Sequence, residues 1–489
     1  MIAGSIVGSG ELIATTKVGA EGGFWLLWLI LIGCIIKVFA QVEFGRHTIT
    51  HSETPLEALN SVPGPRGKRV NWLIAYWAFM TLLVITQQGG IVGGVGQALS
   101  ISAPITAEGR AHRDAQTAAI EKKVEAAVGK LRAERGEAAG GDDSATGMDP
   151  PGEEAARAPP TGKKSPDPAI WATIMALLTS VLLWFGRYGV IQLFATIFVA
   201  AFTFVTILTV IMLQGTDFAI RGGEVAEGLS FRLPPEVEGS DRRPLGTALA
   251  AFGIIGVGAA ELIMYPYWCL EKGYARHVGR RDGSEGWFAR AKGWIRVLQV
   301  DAWASMAVYT FATVAFLLLG AAVLHRTGLN PEKGDMVATL AQMYVPVFGD
   351  WAPQVFLFGA FAVLYSTFFV AAAGNARMVA DGLGLFGWHD RSEATRAKWT
   401  RVIAAAWPIL ALSTFLFFRA PAAMVLLSGV SQAVMLPMLG VAALYFRYRR
   451  SEKRLRPGRL WDVFLWISCA GFLVAGGYAI WEKLSGFFG

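Results

Sequence analysis

Long apolar runs alternate with short polar connectors along most of the chain. Runs long enough to cross a bilayer, which takes about 20 apolar residues, fall near 23–45, 71–99, 169–185, 189–213, 246–270, 297–324, 353–375, 399–418, 422–446 and 460–481. The stretch from Met1 to Thr16 is an eleventh candidate, yet only sixteen residues precede Lys17. A start codon assigned too late would explain its shortness, and an in-frame upstream extension of roughly one to two turns or more is expected. The pattern predicts an all-α integral membrane protein of about 11 transmembrane helices, because in lipid the backbone must satisfy its own hydrogen bonds.

One region breaks the pattern. From Pro104 to Pro168 the chain is polar, with Ala, Glu, Lys and Arg at helical spacing to about Ala139, followed by Gly, Asp, Pro and charge. Its first part reads as an exposed helix and its second as a disordered linker. The divisions are 1–103 (helices 1–3), 104–168 (the extramembrane insert), 169–213 (helices 4–5), 214–246 (an external connector), 247–446 (helices 6–10) and 447–489 (a basic connector and helix 11).

Composition agrees with the membrane reading. The chain has 489 residues, 54% hydrophobic and 17% charged, whereas globular chains average about 25% charged. A net charge of +7 could point to nucleic acid. The basic residues, however, gather in connectors: Lys272 to Arg296, Arg447 to Arg459, Arg66 to Arg69 and Arg391 to Arg401. The connectors at 214–245 and 325–352 are mixed or slightly acidic. This alternation places the amino end in the cytoplasm of a multi-pass protein of the plasma or inner membrane, with lipid and not nucleic acid as its macromolecular surroundings. Cys34, Cys269 and Cys469 lie in or beside apolar runs without ligand spacing, and the six histidines form no paired motif. No enzyme chemistry, zinc site or cofactor is expected, and no cleavable signal peptide.

The chemistry gathers in a repeated phrase. Gly8-Ser9-Gly10-Glu11-Leu12-Ile13 recurs as Gly258-Ala259-Ala260-Glu261-Leu262-Ile263, each time with a carboxylate beside helix-breaking glycine. Acids at membrane depth are costly and mark transport pathways. Five spans separate the two copies, so the halves 1–213 and 247–446 read as inverted five-helix repeats, with the Gly8/Gly10 and Gly256/Gly258 pairs breaking the first and sixth helices. The competing reading makes Glu11 and Glu261 structural pins of those breaks. Lys37 reads as an internal counter-ion or a snorkelling side chain. Asp301 reads as a gate or relay residue, and Glu271 with Lys272 as a helix-end pair.

These segments resemble the Nramp family of divalent-metal transporters. Gly8-Ser9-Gly10-Glu11, with Ala14 to Ala20 and Leu26-Leu27-Trp28 after it, is similar to the D-P-G-N segment. Gly253-Ile254-Ile255-Gly256 and Gly258 to Glu261 are similar to the approach and body of M-P-H-N. Ser366-Thr367, Ala373-Gly374-Asn375 and Asp381-Gly382 resemble the eighth span, Ala321 to His325 the seventh, and Leu426-Leu427-Ser428 through Leu436-Pro437 the tenth. The resemblance implies the leucine-transporter-like inverted-repeat fold and a substrate cation between the two broken helices.

The ligand positions depart from the family. Its aspartate, asparagine and methionine ligands fall on Gly8, Glu11 and Gly258, its tenth-span glutamine on Gly429 with Gln432 one turn away, and its histidine on Ala260. The third-span acids are matched by Gln87-Gln88-Gly89-Gly90-Ile91. With the thioether gone, oxygen donors favour hard ions such as magnesium, calcium or manganese. The expected binding residues are Gly8, Ser9, Gly10, Glu11, Gly258, Ala259, Glu261 and Gln432, with Gln88, Asp301 and Lys37 as relay or gate residues. The alternatives are a carrier of a small organic cation or amino acid, and a transport-inactive receptor or scaffold that binds through the insert.

Overall fold

The computed structural model describes residues 8–134, 165–186, 189–235, 243–332 and 335–488. Among them every regular element is helical, apart from one isolated bridge between Arg66 and Asn71. The first, α1, is a π-helical turn, Gly10–Thr15, that runs on as Thr16–Gly22. There follow α2 (Leu27–His51), α3 (Trp72–Ser102), α4 (Asp167–Phe185), α5 (Gly189–Met212), the two half-helices α6a (Pro244–Ile254) and α6b (Ala259–Glu271), α7 (Glu285–Leu319), α8 (Ala352–Phe386), α9 (Glu393–Phe418), α10 (Pro421–Tyr445) and α11 (Arg459–Phe488).

Ten segments, with α6a and α6b counted together, are long and apolar enough to cross a membrane. They fall on the ten apolar runs. The remaining expected span is α1, whose described part is too short to cross alone; residues 1–7 and any upstream extension lie outside the described residues.

Helix ends differ from the edges of the apolar runs because caps set the ends while lipid contact sets the hydropathy. Helix α7 begins well ahead of residue 297: Ser284 Oγ accepts the Trp287 N–H at 3.1 Å and starts the helix inside the basic connector. Ser392 does the same for α9, accepting from Thr395 N at 3.3 Å. Helix α8 runs past residue 375 to Phe386 and stops at Gly387, whose φ of +79° suits a residue without Cβ.

The insert's first part is a helix, Ala107–Glu134, as its spacing predicts. Its root is docked rather than free. Asp167, fully buried, accepts from Ile105 N and from Thr106 Oγ1, both at 2.7 Å, and so joins the insert to the start of α4. The expected disordered part, at 135–164, lies outside the described residues.

Burial sorts the bundle into an inner and an outer set. The residues of α1 are all buried, as is most of α6a and α6b. Helices α4, α9 and α11 leave large apolar side chains exposed, among them Phe185, Phe417, Leu473 and Val474. On a membrane protein such faces meet acyl chains. A polar centre is thus enclosed by helices whose outer surface is suited to lipid.

Candidate functional site

The site begins with the break in the sixth span. In Gly253-Ile254-Ile255-Gly256-Val257-Gly258, Ile255 is extended (ψ 146°), Gly256 has φ +60°, and Gly258 is extended again before α6b starts. Only glycine fits at 256. A Cβ there would be strained by the positive φ and would lie 2.6 Å from the Tyr309 ring. Breaking a helix in a dry environment frees backbone groups that must find partners, and side chains from three other helices supply them.

Glu11 joins the two repeats; whether the first span is broken lies outside the described residues, since the chain is helical from Ser9 onward and residues 1–7 are not described. Its Oε1 accepts the Gly256 N–H at 2.9 Å, and its Oε2 accepts the Gly8 N–H at 2.8 Å. Lys37 Nζ donates to the carbonyls of Phe252 and of Ile255, the latter at 2.8 Å, at the end of α6a. Gln432 Oε1, from α10, accepts the Ala260 N–H at 3.0 Å in the first turn of α6b. Helix α1 lies against α6a so closely that a Cβ on Gly10 would sit 2.8 Å from Ile254 O.

A small cavity of about 20 Å³ opens beside the break in the sixth span. The backbones of Gly8, Gly10 and Gly256 form one wall, and Ser9, Gln88, Glu261, Thr367 and Asn375 bring polar side chains to it. Three of those side chains carry a buried oxygen without a hydrogen-bond partner: Glu261 Oε2, Gln88 Oε1 and Thr367 Oγ1. Buried oxygens without a partner are costly unless water or a ligand completes them. Among the described residues no group of three or more His, Cys, Asp or Glu is arranged to hold a metal. The donor set is therefore one carboxylate with neutral amide and hydroxyl oxygens.

A neutral network centred on Gln87, which also lines the cavity, fixes the wall. Gln87 Oε1 accepts from Gln432 Nε2 at 2.8 Å and from Ser428 Oγ at 2.9 Å, and Gln87 Nε2 reaches Ser9 Oγ at 3.5 Å. Asn375 Nδ2 donates to Ala371 O at 2.8 Å.

Of the residues expected at the site, Gly8, Ser9, Gly10, Glu261 and Gln88 line the cavity. Glu11 does not; both its oxygens are bound to backbone. Gly258 and Ala259 begin α6b beside the cavity without lining it, and Gln432 stands one layer behind. Asp301 is not brought to the site: it accepts from Tyr265 Oη at 3.1 Å, farther along α7. The snorkelling reading of Lys37 is corrected, since the side chain is fully buried and points to the α6a carbonyls rather than to a headgroup region. Thr367 and Asn375 were not among the candidates. Their signal was available, for Thr367, Ala371 and Asn375 are spaced by four and share one face of α8.

Polar contacts tie helices together toward each end of the bundle. At the end carrying the basic connectors, Asp381 Oδ2 accepts from Tyr267 Oη at 2.5 Å and from Thr54 Oγ1 at 2.6 Å, linking α8, α6b and the loop after α2. At the opposite end Lys17 Nζ meets Glu21 Oε1 at 2.9 Å, Glu332 Oε1 at 2.9 Å and Asn330 Oδ1 at 3.0 Å, while Thr247 Oγ1 donates to Glu21 Oε2 at 2.6 Å.

The family model described as Nramp, natural resistance-associated macrophage protein-like, matches residues 164–482. A histidine-to-alanine mutant of the manganese transporter of Eremococcus coleocola has a similar structure, with TM-score 0.56, 17% identity, and 100% of this chain and 88% of that one covered. A glutamate-to-alanine mutant of the same transporter gives TM-score 0.58 and 16% identity over 100% and 87%. Mhp1, a nucleobase-cation-symport-1 family transporter solved closed on bromovinylhydantoin, gives 0.53 and 15% over 97% and 88%. At these identities the likeness shows the fold, the leucine-transporter-like arrangement of helices. No curated protein sequence matches the chain.

Proposed function

The chain belongs to the Nramp family, and from that premise we propose that it is a secondary transporter moving a divalent metal cation, with hard ions such as magnesium or manganese favoured, by alternating access. The observation that carries the reading is the set of three unpartnered oxygens at the cavity, Glu261 Oε2, Gln88 Oε1 and Thr367 Oγ1. A cation entering there exchanges part of its water shell for oxygen donors, the chemistry that suits hard ions. Glu261 supplies the charge that draws the ion out of water, and the neutral oxygens orient it. Structural neighbours that share the fold are named as manganese transporters.

The reading places the amino end in the cytoplasm of a cell membrane, from the basic connectors. The Asp381 latch is then the inner closure and the Lys17 cluster the outer one. Opening one while the other holds gives access to one side at a time. The residues matching the family's third-span acids and histidine are Gln87, Gln88 and Ala260, none of which titrates, so proton coupling does not run through those positions.

A carrier of organic solutes is disfavoured by the packing. Gly8 and Gly258 do not enlarge the site: a Cβ on Gly8 would collide with Thr367, and one on Gly258 would lie 2.9 Å from Gln432 Oε1. Uptake of manganese and magnesium into proteoliposomes tests the proposal. The full chain is expected to load both ions and Glu261→Gln to lose at least ~10-fold of that uptake. Uptake by the full chain no faster than by empty vesicles overturns the reading.

A further inference from the structure

Lys37 is the one fully buried lysine among the described residues, and no carboxylate lies within ion-pair distance of it. A buried ammonium without an anion is costly, so what surrounds it matters. Its Nζ sits on the carbonyls of Phe252 and Ile255, and 4.9 Å over the Phe252 ring. Those carbonyls end a half-helix, where the backbone carries partial negative charge. The approach is built in, since a Cβ on Gly33, one turn before Lys37 on α2, would lie 2.8 Å from the same ring.

Carbonyls freed at a broken transmembrane helix, gathered at a half-helix C-terminus, are the groups that coordinate a coupling cation in inverted-repeat carriers. Here they already hold a positive group bonded to the chain. We propose that Lys37 is a tethered monovalent cation that serves the broken sixth helix in place of a free sodium or potassium ion, so that neither ion binds there or is needed as a co-ion. The transport half of this statement rests on the proposed function; the binding half does not. The ammonium also offsets one of the two nearby carboxylates, Glu11 and Glu261, leaving the region one net negative charge to offer a substrate.

The test uses the purified full-length protein, melted in sodium, potassium, methylammonium or choline chloride at equal ionic strength. Wild type is expected to melt at the same temperature in all four. Lys37→Ala is expected to melt lower in choline and to recover in the salts whose cation is small enough to fill the vacated position, whereas Lys37→Arg keeps a charge and shows no such dependence. A purely structural lysine would leave Lys37→Ala equally weakened in every salt, and that result overturns the proposal. If Lys37→Ala does not fold, the wild-type arm still decides: a melting temperature raised by sodium or potassium over choline overturns it. In proteoliposomes, wild-type manganese uptake is expected to be unchanged when choline replaces both alkali ions. Absence of uptake in every salt sinks the transport reading and leaves the melting arms to judge Lys37.

Discussion

The Tyr267 hydroxyl lies 2.5 Å from the Asp381 carboxylate oxygen that also accepts from Thr54. One oxygen thus ties α6b and the loop after α2 to α8. Removing one donor weakens the closure while leaving Asp381 with a partner. Tyr267→Phe and Thr54→Val are each expected to speed alkylation of the buried Cys269, two residues beyond Tyr267 on α6b, by a membrane-permeant maleimide. Cys34, buried on α2 with its carbonyl accepting from Tyr309 Oη on α7, serves as the internal control. Equal labelling of Cys269 in wild type and variants would show that these contacts do not govern access.

The two repeated carboxylates are expected to separate in their effects. Glu11→Ala strips an acceptor from two buried N–H groups, at ~1–3 kcal/mol each, and should lower the melting temperature. Glu261 has an unpartnered buried oxygen. Glu261→Gln keeps the size of the side chain and removes its charge, so it should lower the melting temperature less than Glu11→Ala does while losing uptake. Thermal melting and vesicle uptake measured on the same preparations check both statements.

Gly256→Ala combines a left-handed backbone with a contact on Tyr309. A loss of ~1–3 kcal/mol is expected. Tyr309→Leu in the same background should recover the contact part of that loss and not the backbone part. Denaturation midpoints of the single and double variants measure the division.

Glu53, in the loop just beyond α2, pairs with His47 Nε2 at 3.1 Å and with Arg450 Nη2 at 2.8 Å. The hydrogen bond from His47, and then the charges around it, hold its carboxyl below the usual carboxylate value. A depressed carboxylate contributes stability that is fully present above its unfolded value and is lost as pH falls through the folded one. The melting temperature of wild type should therefore fall more steeply than that of Glu53→Gln below about pH 4.5. Parallel curves for the two proteins would remove Glu53 from the acid response.

Deleting 107–165 should leave metal uptake intact, since the cavity is lined from α1, α3, α6a, α6b and α8 and their unwound joints. Loss of uptake in a deletion variant that still melts cooperatively would give the insert a part in transport.

The spans were legible because lipid demands runs of apolar residues, and the break in the sixth helix because its glycines stand in an otherwise apolar run. The division of labour between Glu11 and Glu261 was not legible. Their contexts read alike, and only the coordinates place one against two N–H groups and the other at the cavity. The two readings of Lys37 could not be separated in the sequence for a related reason: snorkelling is judged from depth along a single helix, whereas its partners come from a helix some two hundred residues later. The α8 face of Thr367 and Asn375 was visible as a spacing of four, but hydroxyl and amide side chains within an apolar helix carry little signal until a cavity is found beside them.

One side chain, Glu11, grips Gly8 and Gly256 together. The start of the described first span and the break in the sixth are thereby yoked, and pulling either away alone would leave a buried amide without its acceptor. Displacing one without the other costs a buried hydrogen bond, so the amino-terminal segment and the sixth-span break are coupled through that single carboxylate.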